Sequence, residues 1–220
     1  MKPKNIDIDL LISTLEAHWP TSQAPVVTLL AGRGASPFAI LVSTLLSLRT
    51  KDAVTLEAAD RLLAVADTPE KMRRLSENRI AGLIYPVGFY VTKAARLKKI
   101  CAELIERFDG QVPDSLEALL SLPGVGRKTA NLVRIEGFNK EGMCVDTHVH
   151  RFSNRIGLVE TQNPDQTEMA LRKILPKKYW KRYNPLVVAF GQTVCLPVSP
   201  FCSRCPWSPY CPKINVNRSR

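Results

Sequence analysis

The sequence predicts an all-α fold, and three observations support that class. Apolar residues recur at helical spacing in segments that are rich in helix-forming residues. Residue patterns typical of helix N-termini precede several further segments. No segment combines β-branched alternation with the turn signals of a hairpin. Because 45% of the residues are hydrophobic and 23% are charged, the composition is that of a folded globular protein, which excludes wholesale disorder.

The predicted helices are defined by their apolar faces and by their ends. Residues 53–66 are rich in helix formers, and residues 93–108 are amphipathic and end at Asp109-Gly110. The apolar face of the second segment carries Leu97, Ile100, Cys101 and Leu104. Motifs typical of helix N-termini are Thr68-Pro69-Glu70, Asp114-x-x-Glu117 and Asn163-Pro164-Asp165-Gln166. We expect a run of short helices over residues 30–140 and a second region from residue 141, which ends in a proline-rich segment.

The charge balance indicates a polyanionic partner. The chain has 31 Lys and Arg against 20 Asp and Glu, a net charge of +11, which suits nucleic acid and also an anionic membrane surface. The longest apolar stretch is the eleven residues 38–48, whereas a bilayer requires about 20, so no membrane span is expected. Asp7 and Asp9 lie where a secretory signal would have its apolar core. We therefore expect an intracellular, cytoplasmic protein, associated with the nucleoid if its source is bacterial.

Four of the six cysteines lie within seventeen residues and predict a metal centre. Cys195, Cys202, Cys205 and Cys211 have the spacing C-x6-C-x2-C-x5-C, interleaved with prolines. Thiolates bind both Zn²⁺ and iron–sulfur clusters, and the long first spacer favours a cluster over the paired C-x2-C of zinc ribbons. Arg204 and Lys213 lie beside this segment and could offer charge to phosphates. Cys101 and Cys144 are in apolar contexts and are interpreted as buried small hydrophobic residues.

A glycine-containing turn followed by a helix is the most informative segment. In residues 122–131, LPGVGRKTAN, one helix is expected to end near Leu122 and another to begin around Arg127. Gly124 and Gly126 allow backbone N–H groups to approach a ligand closely, and a helix N-terminus attracts a phosphate. A bare G-x-G is better explained by a simple interhelical turn. Eighteen residues after Lys128, Asp146 is at a predicted helix N-cap, where its ordinary role is to accept backbone hydrogen bonds.

Taken together, these motifs resemble the endonuclease III family of DNA glycosylases, within the helix-hairpin-helix superfamily with the Gly-Pro-Asp signature. The resemblance rests on the order and spacing of LPGVGRKTANLV, VDTHVHR and the four-cysteine tail, and extends to LLSLRTKD and IYPVGFYVTKA. It implies a fold of two domains. One is a six-helix barrel domain over residues 30–140, which contains the helix-hairpin-helix. The other is a helical iron–sulfur domain formed by residues 1–29 and 141–220. It also implies a [4Fe-4S] cluster on the four cysteines and an active site in the cleft between the domains.

The resemblance also implies an activity and roles for residues. The family removes oxidised pyrimidines from double-stranded DNA and then cleaves the abasic strand, so DNA with oxidised bases or abasic sites is the expected partner of a monomeric chain. Lys128 matches the catalytic lysine that attacks C1′ of the flipped nucleotide and forms a Schiff base, after which β-elimination cleaves the strand. Asp146 matches the catalytic aspartate. The other expected DNA-binding residues are Arg49, Phe89, Gly124, Val125, Gly126, Arg127, Thr129 and His148.

Two positions depart from the family pattern and put base preference in doubt. Arg49 stands where better-known members have a glutamine that fills the space left by the flipped nucleotide, and Leu120 stands where a carboxylate is common. We expect Arg49 to fill the gap and read the orphaned base, with Phe89 as an apolar wedge; a mere phosphate contact by Arg49 is the alternative. His148 and His150 are interpreted as polar helix residues that contact backbone or phosphate.

Three other functions compete with the bifunctional enzyme. A monofunctional, mismatch-directed glycosylase is the nearest, but the related adenine-mismatch enzymes usually lack a lysine at the position of Lys128. A non-catalytic helix-hairpin-helix DNA-binding protein would require neither Lys128 nor Asp146. An electron-transfer iron–sulfur protein would leave the hairpin and the basic charge unexplained.

Overall fold

The computed structural model describes residues 6–18 and 25–220, and these residues form helices joined by turns and loops. The all-α prediction is confirmed for this part of the chain. The α-helices are α1 (Ile8–His18), α2 (Val26–Gly32), α3 (Pro37–Ser47), α4 (Asp52–Val65), α5 (Pro69–Arg74), α6 (Glu77–Ile84), α7 (Tyr90–Phe108), α8 (Leu116–Leu120), α9 (Arg127–Phe138), α10 (Thr147–Arg155), α11 (Pro164–Ile174) and α12 (Trp180–Thr193). One short 3-10 helix, Lys177–Tyr179, lies between α11 and α12, and another, Cys202–Arg204, lies after α12. None of the helices in these ranges is long and apolar enough to cross a bilayer.

Contacts divide the chain into two compact units. One is Val26–Lys140, and the other joins Glu141–Arg220 to the N-terminal segment that ends at Pro25. The sequence placed the first boundary at residue 30. In the structure it falls earlier because α2 begins at Val26 and packs its buried side chains against α3, α4 and α9.

The Val26–Lys140 unit is built around α3. This helix is apolar nearly all round, and the buried residues Phe38 and 40–46 face neighbours on every side: α2, α4, α7 and α9. A helix of this composition is stable only when it is enclosed, since exposing such a face to water costs about 25 cal/mol per Å². Its C-terminus, at Ser47, leads directly into the turn that carries Arg49.

The second unit is built around α12, which α1 and α10 contact directly. Leu11, Ile12 and Leu15 of α1 are fully buried in this core, together with Phe152 of α10 and Tyr183 of α12. The Tyr183 hydroxyl lies 2.9 Å from Ser153 Oγ, so the one polar atom of that large side chain is satisfied inside the core.

Most helix ends follow the predicted local signals. Thr68 caps α5 by accepting from the Lys71 N–H, and Asn163 caps α11 by accepting from the Gln166 N–H. α7 ends at Phe108, followed by Asp109 and Gly110 with positive φ. The predicted cap at Asp114 is wrong by one residue. Ser115 caps α8 instead and accepts from the Ala118 N–H, whereas the Asp114 carboxylate pairs with Lys140, 2.6 Å away.

Candidate functional site

The predicted hairpin is a tight turn between α8 and α9. Val125 donates its N–H to the Leu122 carbonyl, 3.1 Å away, which closes the turn. Gly124 has φ +75°, and a Cβ at this position would lie 2.4 Å from the Arg96 Nε of α7. The positive φ is what favours glycine here, since the space of a Cβ is occupied only by the movable side chain of Arg96. Gly126 is the N-cap of α9 and, lacking a side chain, offers no cap of its own to the helix.

This turn places Lys128 in the first turn of α9. Arg127 and Lys128 are half-buried, whereas the side chains of Val125 and Thr129 are 5% and 3% exposed. Of the predicted DNA-binding residues here, Thr129 can therefore offer only its backbone N–H to a phosphate, whereas the Val125 N–H is already bonded to the Leu122 carbonyl. A helix N-terminus with successive N–H groups and a positive dipole is suited to that contact.

Asp146 is the N-cap of α10, as the sequence predicts. Its Oδ1 accepts from the His148 and Val149 N–H groups at 2.8 and 2.9 Å, and the residue is 8% exposed. A cap of this kind stabilises a helix by about 1 kcal/mol, and it also fixes the direction of the carboxylate. The structural role and a chemical role are therefore compatible at this residue.

The two histidines of α10 make side-chain contacts. His148 Nδ1 lies 3.0 Å from Arg151 Nη2, and because a guanidinium only donates, Nδ1 accepts and the ring proton resides on Nε2. His150 Nδ1 lies 2.7 Å from Thr167 Oγ1, and burial lowers the pKa of His150. His150 thus joins α10 to α11 through a side-chain contact.

Two arginines on one face of α10 hold the backbone that leads into the cysteine segment, a role that the sequence reasoning missed. Arg151 donates to the carbonyls of Gly191 and Cys195, and Arg155 donates to those of Leu196 and Pro197 at 2.6 and 2.7 Å. Arg155 Nη1 also lies 3.5 Å from Cys195 Sγ. The signal in the sequence was their spacing, because two residues four positions apart lie on the same face of a helix, here beside buried apolar neighbours.

The four clustered cysteines line one pocket. Its wall includes Cys195, Cys202, Cys205, Cys211, Arg155 and Trp207, and the open volume within it, solvent included, is about 380 Å³. Lys213 donates its N–H to Cys211 Sγ at 3.4 Å. Burial raises the pKa of Cys205 to about 11, so a group that binds there must displace the thiol proton.

The four thiols of this pocket are the donor type that both iron–sulfur clusters and Zn²⁺ take. Within residues 6–18 and 25–220, no group of three or more His, Cys, Asp or Glu side chains is placed to hold a metal ion. Trp207 is 2% exposed, and its indole N–H has no acceptor among the described residues. An orphaned buried donor at the wall of a thiol-lined pocket is typical of a site that a further group completes.

Arg49 and Phe89 are brought together by two turns. Both residues have positive φ, 54° and 61°, and both side chains are exposed. The guanidinium carbon of Arg49 lies 5.6 Å from the centre of the Phe89 ring, within the range of a cation–π contact. The turns fit tightly, because a Cβ on Gly88 would lie 2.6 Å from the Arg49 carbonyl oxygen.

A buried lysine beneath these turns was also missed by the sequence reasoning. Lys93 of α7 is 6% exposed, and its Nζ donates to Leu46 O, Leu48 O and Thr50 Oγ1 at 2.7, 2.6 and 3.2 Å. Three acceptors match the three N–H bonds of an ammonium group. The signal in the sequence was its register, because residue 93 continues the apolar face of Leu97, Ile100 and Leu104.

The burial of Lys93 gives stability a specific pH dependence. Desolvation, assisted by the positive charge of Arg96, lowers the pKa of Lys93 from 10.5 to about 8. Below pH 8 the lysine is protonated in both folded and unfolded chains, and the cost of burying the charge is present in full. Between about pH 8 and 10.5 the unfolded chain binds more protons, so this contribution to stability rises with pH.

We therefore expect the melting temperature of the wild type, relative to that of Lys93→Met, to rise as the pH is increased from 7.5 to 10. Thermal unfolding of both proteins in matched buffers measures the difference. A difference that stays constant over this range, or falls, would contradict the pKa shift.

Comparisons with known proteins agree with this arrangement. Residues 42–177 match the family model described as HhH-GPD superfamily base excision DNA repair protein. The chain is 46% identical over 175 residues to endonuclease III of Thermotoga maritima, covering 80% of this chain and 82% of that protein. It is 46% identical over 184 residues to the chloroplastic endonuclease III homolog 1 of Arabidopsis thaliana, covering 80% of this chain but 48% of that longer protein.

Solved structures give the same family. A non-covalent endonuclease III–DNA complex superposes with a TM-score of 0.83 at 31% identity, covering 94% of both chains. A trapped covalent endonuclease III–DNA intermediate superposes with a TM-score of 0.79 at 30% identity, covering 94% of this chain and 97% of that one.

Proposed function

The chain belongs to the endonuclease III family of DNA glycosylases, within the HhH-GPD superfamily of base excision DNA repair proteins, and from that premise we propose that it excises oxidised pyrimidines from duplex DNA and then cleaves the abasic strand. The observation that carries the proposal is an amine in the first turn of the helix directly after the glycine hairpin: Lys128 of α9. A DNA-binding module without chemistry has no use for a nucleophile there, and a monofunctional glycosylase has no need of one.

Lys128 acts as the nucleophile in this proposal. Its neutral Nζ attacks C1′ of the extruded nucleotide, and the bond from C1′ to the base breaks as the base leaves with a proton. The C1′–O4′ bond then breaks and O4′ takes up a proton, which leaves the open-chain sugar joined to Lys128 as a protonated Schiff base. Loss of a proton from C2′ drives β-elimination, which breaks the C3′–O bond, and water then releases the lysine.

Asp146 stabilises the positive charge that develops on the sugar and carries protons during base loss and elimination. This role is supported by its hydrogen bonds, since two backbone donors fix Oδ1 at the start of α10. A carboxylate whose position is already fixed can stabilise a developing cation without reorganising first.

The hairpin and its neighbours bind the phosphates of double-stranded DNA. Gly124, Val125, Gly126, Arg127 and Thr129 surround the N-terminus of α9, where backbone N–H groups hold a phosphate without reading the sequence. His148 is assigned to the same partner, as a polar residue at the start of α10. The chain is proposed to act as a monomer in the cytoplasm.

We assign a [4Fe-4S] cluster to the four cysteines of the thiol-lined pocket, Cys195, Cys202, Cys205 and Cys211. Their shared pocket, their C-x6-C-x2-C-x5-C spacing and the orphaned Trp207 N–H support this assignment. When bound, the cluster supplies thiolate-to-iron bonds that order residues 195–211, and no step of the base chemistry passes through it. Arg204 and Lys213 then remain on the surface beside it, where they can contact phosphates.

The experiment that tests the function is an assay of the purified protein on duplexes that each carry one defined lesion. We expect base release and strand cleavage on oxidised pyrimidines, and covalent trapping of the protein when borohydride is added during turnover, since only an imine is reduced to a stable link. Base release without strand cleavage or trapping would instead support a monofunctional enzyme. Binding without either product would support a non-catalytic module.

Arg49 is proposed to fill the space left by the flipped nucleotide, with Phe89 as an apolar wedge beside it. A guanidinium can stack in that gap and donate hydrogen bonds, but it cannot accept them. It should therefore prefer opposite bases that present acceptors, above all guanine through O6 and N7. The exposure of both side chains and their 5.6 Å contact support the assignment.

We expect Arg49→Ala to slow excision and to reduce the preference for an opposite guanine by about tenfold, the value of one good base contact. Excision rates against each of the four opposite bases, and the dependence of binding on salt, measure this. If Arg49 only neutralises a phosphate, the variant weakens binding equally for every opposite base and lowers the salt slope by about one. An unchanged rate together with an unchanged ranking would refute the gap-filling role.

A further inference from the structure

We propose that Lys93 is a positioning residue that holds the Arg49 turn and the Phe89 turn together and thereby sets how the enzyme reads the base opposite the lesion. This inference rests on the function proposed above. Lys93 is neither exposed nor part of the hairpin, and it lies in a different helix from Lys128.

The Lys93 side chain bonds to the Arg49 turn, and it reaches the Phe89 turn through the Thr50 hydroxyl. Its side chain donates to Leu48 O and Thr50 Oγ1, on either side of Arg49. Its backbone N–H donates to the Phe89 carbonyl at 2.9 Å. Thr50 Oγ1 in turn accepts from the Gly88 N–H at 3.1 Å, which completes a closed set of hydrogen bonds between the two turns.

The cost of burying this lysine indicates that it does more than fill space. No carboxylate pairs with Lys93 among the described residues, and the charged group that acts on it is Arg96, of like sign. A buried cation without an ion pair is expensive compared with an apolar side chain of the same volume. The hydrogen bonds that it gains are with the end of α3 and with the Arg49 turn, so their benefit is the fixed position of that turn.

A second lysine on the same helix provides a matched control. Lys98 donates to Arg73 O and Leu75 O at 2.5 and 2.7 Å. Arg73 and Leu75 lie on either side of the last residue of α5. Leu46 and Leu48 lie in the same way on either side of the last residue of α3. Both lysines therefore satisfy a helix C-terminus, but Lys93 also donates to Thr50 Oγ1, which accepts from the Gly88 N–H beside Phe89.

The experiment compares Lys93→Met and Lys98→Met with the wild type. The first measurement is the ratio of excision rates opposite guanine and opposite adenine. The second is the fluorescence of 2-aminopurine placed opposite an abasic-site analogue in bound duplex, which reports whether the orphaned base is stacked. A loss of folded protein lowers every rate equally and leaves the ratio unchanged, so the ratio separates positioning from stability.

We expect Lys93→Met to reduce the guanine-to-adenine ratio about as far as Arg49→Ala does, and to change the 2-aminopurine signal by at least about twofold. Lys98→Met should match the wild type in both measurements. A folded Lys93→Met with the wild-type ratio and the wild-type fluorescence would overturn the proposal, as would an equal effect of Lys98→Met. If Lys93→Met does not fold, Thr50→Val removes the oxygen shared by Lys93 and Gly88, and the same two outcomes apply to it.

Failure of the proposed function gives a different pattern. A wild-type protein that excises no lesion would refute that function, while the 2-aminopurine signal of the bound duplex would still report whether Lys93 positions the turns. A wild type with a strong opposite-base preference that Lys93→Met retains would refute the positioning role alone.

Discussion

Lys128→Gln is expected to abolish covalent trapping by borohydride and to lower strand cleavage by at least about a thousandfold, while DNA binding is largely retained. The amide has no nucleophilic amine, so neither the attack on C1′ nor the Schiff base can form. The side chain keeps nearly the same length and polarity, and the hairpin that binds phosphate through its backbone is untouched. Gel quantification of trapped and cleaved DNA, together with a binding titration, measures the effect.

The control for this experiment is Lys140→Gln, which makes the same change just beyond the other end of α9. Lys140 pairs with Asp114 and is expected to matter little, because exposed ion pairs contribute about 0–1 kcal/mol. Trapping that persists in Lys128→Gln would show that another amine forms the imine.

For Asp146→Asn we expect base release to slow about 10²–10⁴-fold, whereas trapping of the protein on a preformed abasic site survives. A variant with undiminished base release would refute the role of Asp146.

Cys202→Ser is expected to lose the brown colour and most of the roughly four irons per chain that a [4Fe-4S] cluster contains. Its melting temperature should fall by about 10 °C, since several kcal/mol of binding free energy would be lost. The reason is structural. The only regular element in residues 195–211 is the 3-10 helix Cys202–Arg204, and the segment packs on the core through Phe201, Trp207 and three cysteines, Cys195, Cys205 and Cys211.

Cys144→Ala is the matched control for the cluster. Cys144 is 1% exposed in the same unit but does not line the pocket, so its loss should lower stability without changing the iron content. Iron analysis, the visible absorption spectrum and thermal unfolding distinguish the two variants. Colourless wild-type protein that holds stoichiometric zinc would refute the cluster, and so would a Cys202→Ser protein with a full complement of iron.

The sequence by itself determined the features that depend on neighbours a few residues away. Asn163 and Thr68 cap their helices, and Asp146 caps α10, because each oxygen meets N–H groups two or three positions later. The hairpin at Gly124 follows from the conformational freedom of glycine. The four cysteines reach one pocket because only a short, proline-rich chain separates them. Even the one wrong cap, Asp114 in place of Ser115, was wrong by a single residue.

Only the tertiary structure decided which side chains hold distant segments in place. Lys93 donates to Leu46 O across 47 positions, and Arg155 reaches Pro197 O across 42. In the sequence, only the position of each on its helix distinguishes it from exposed lysines and arginines, and that position does not identify its hydrogen-bond acceptors. The distinction arises because burial removes water from these cations, so that carbonyls far along the chain become their hydrogen-bond acceptors. The position of Lys128 after the glycine hairpin was therefore predictable from the local pattern, whereas the arrangement that positions Arg49 and the cysteines depended on packing between helices.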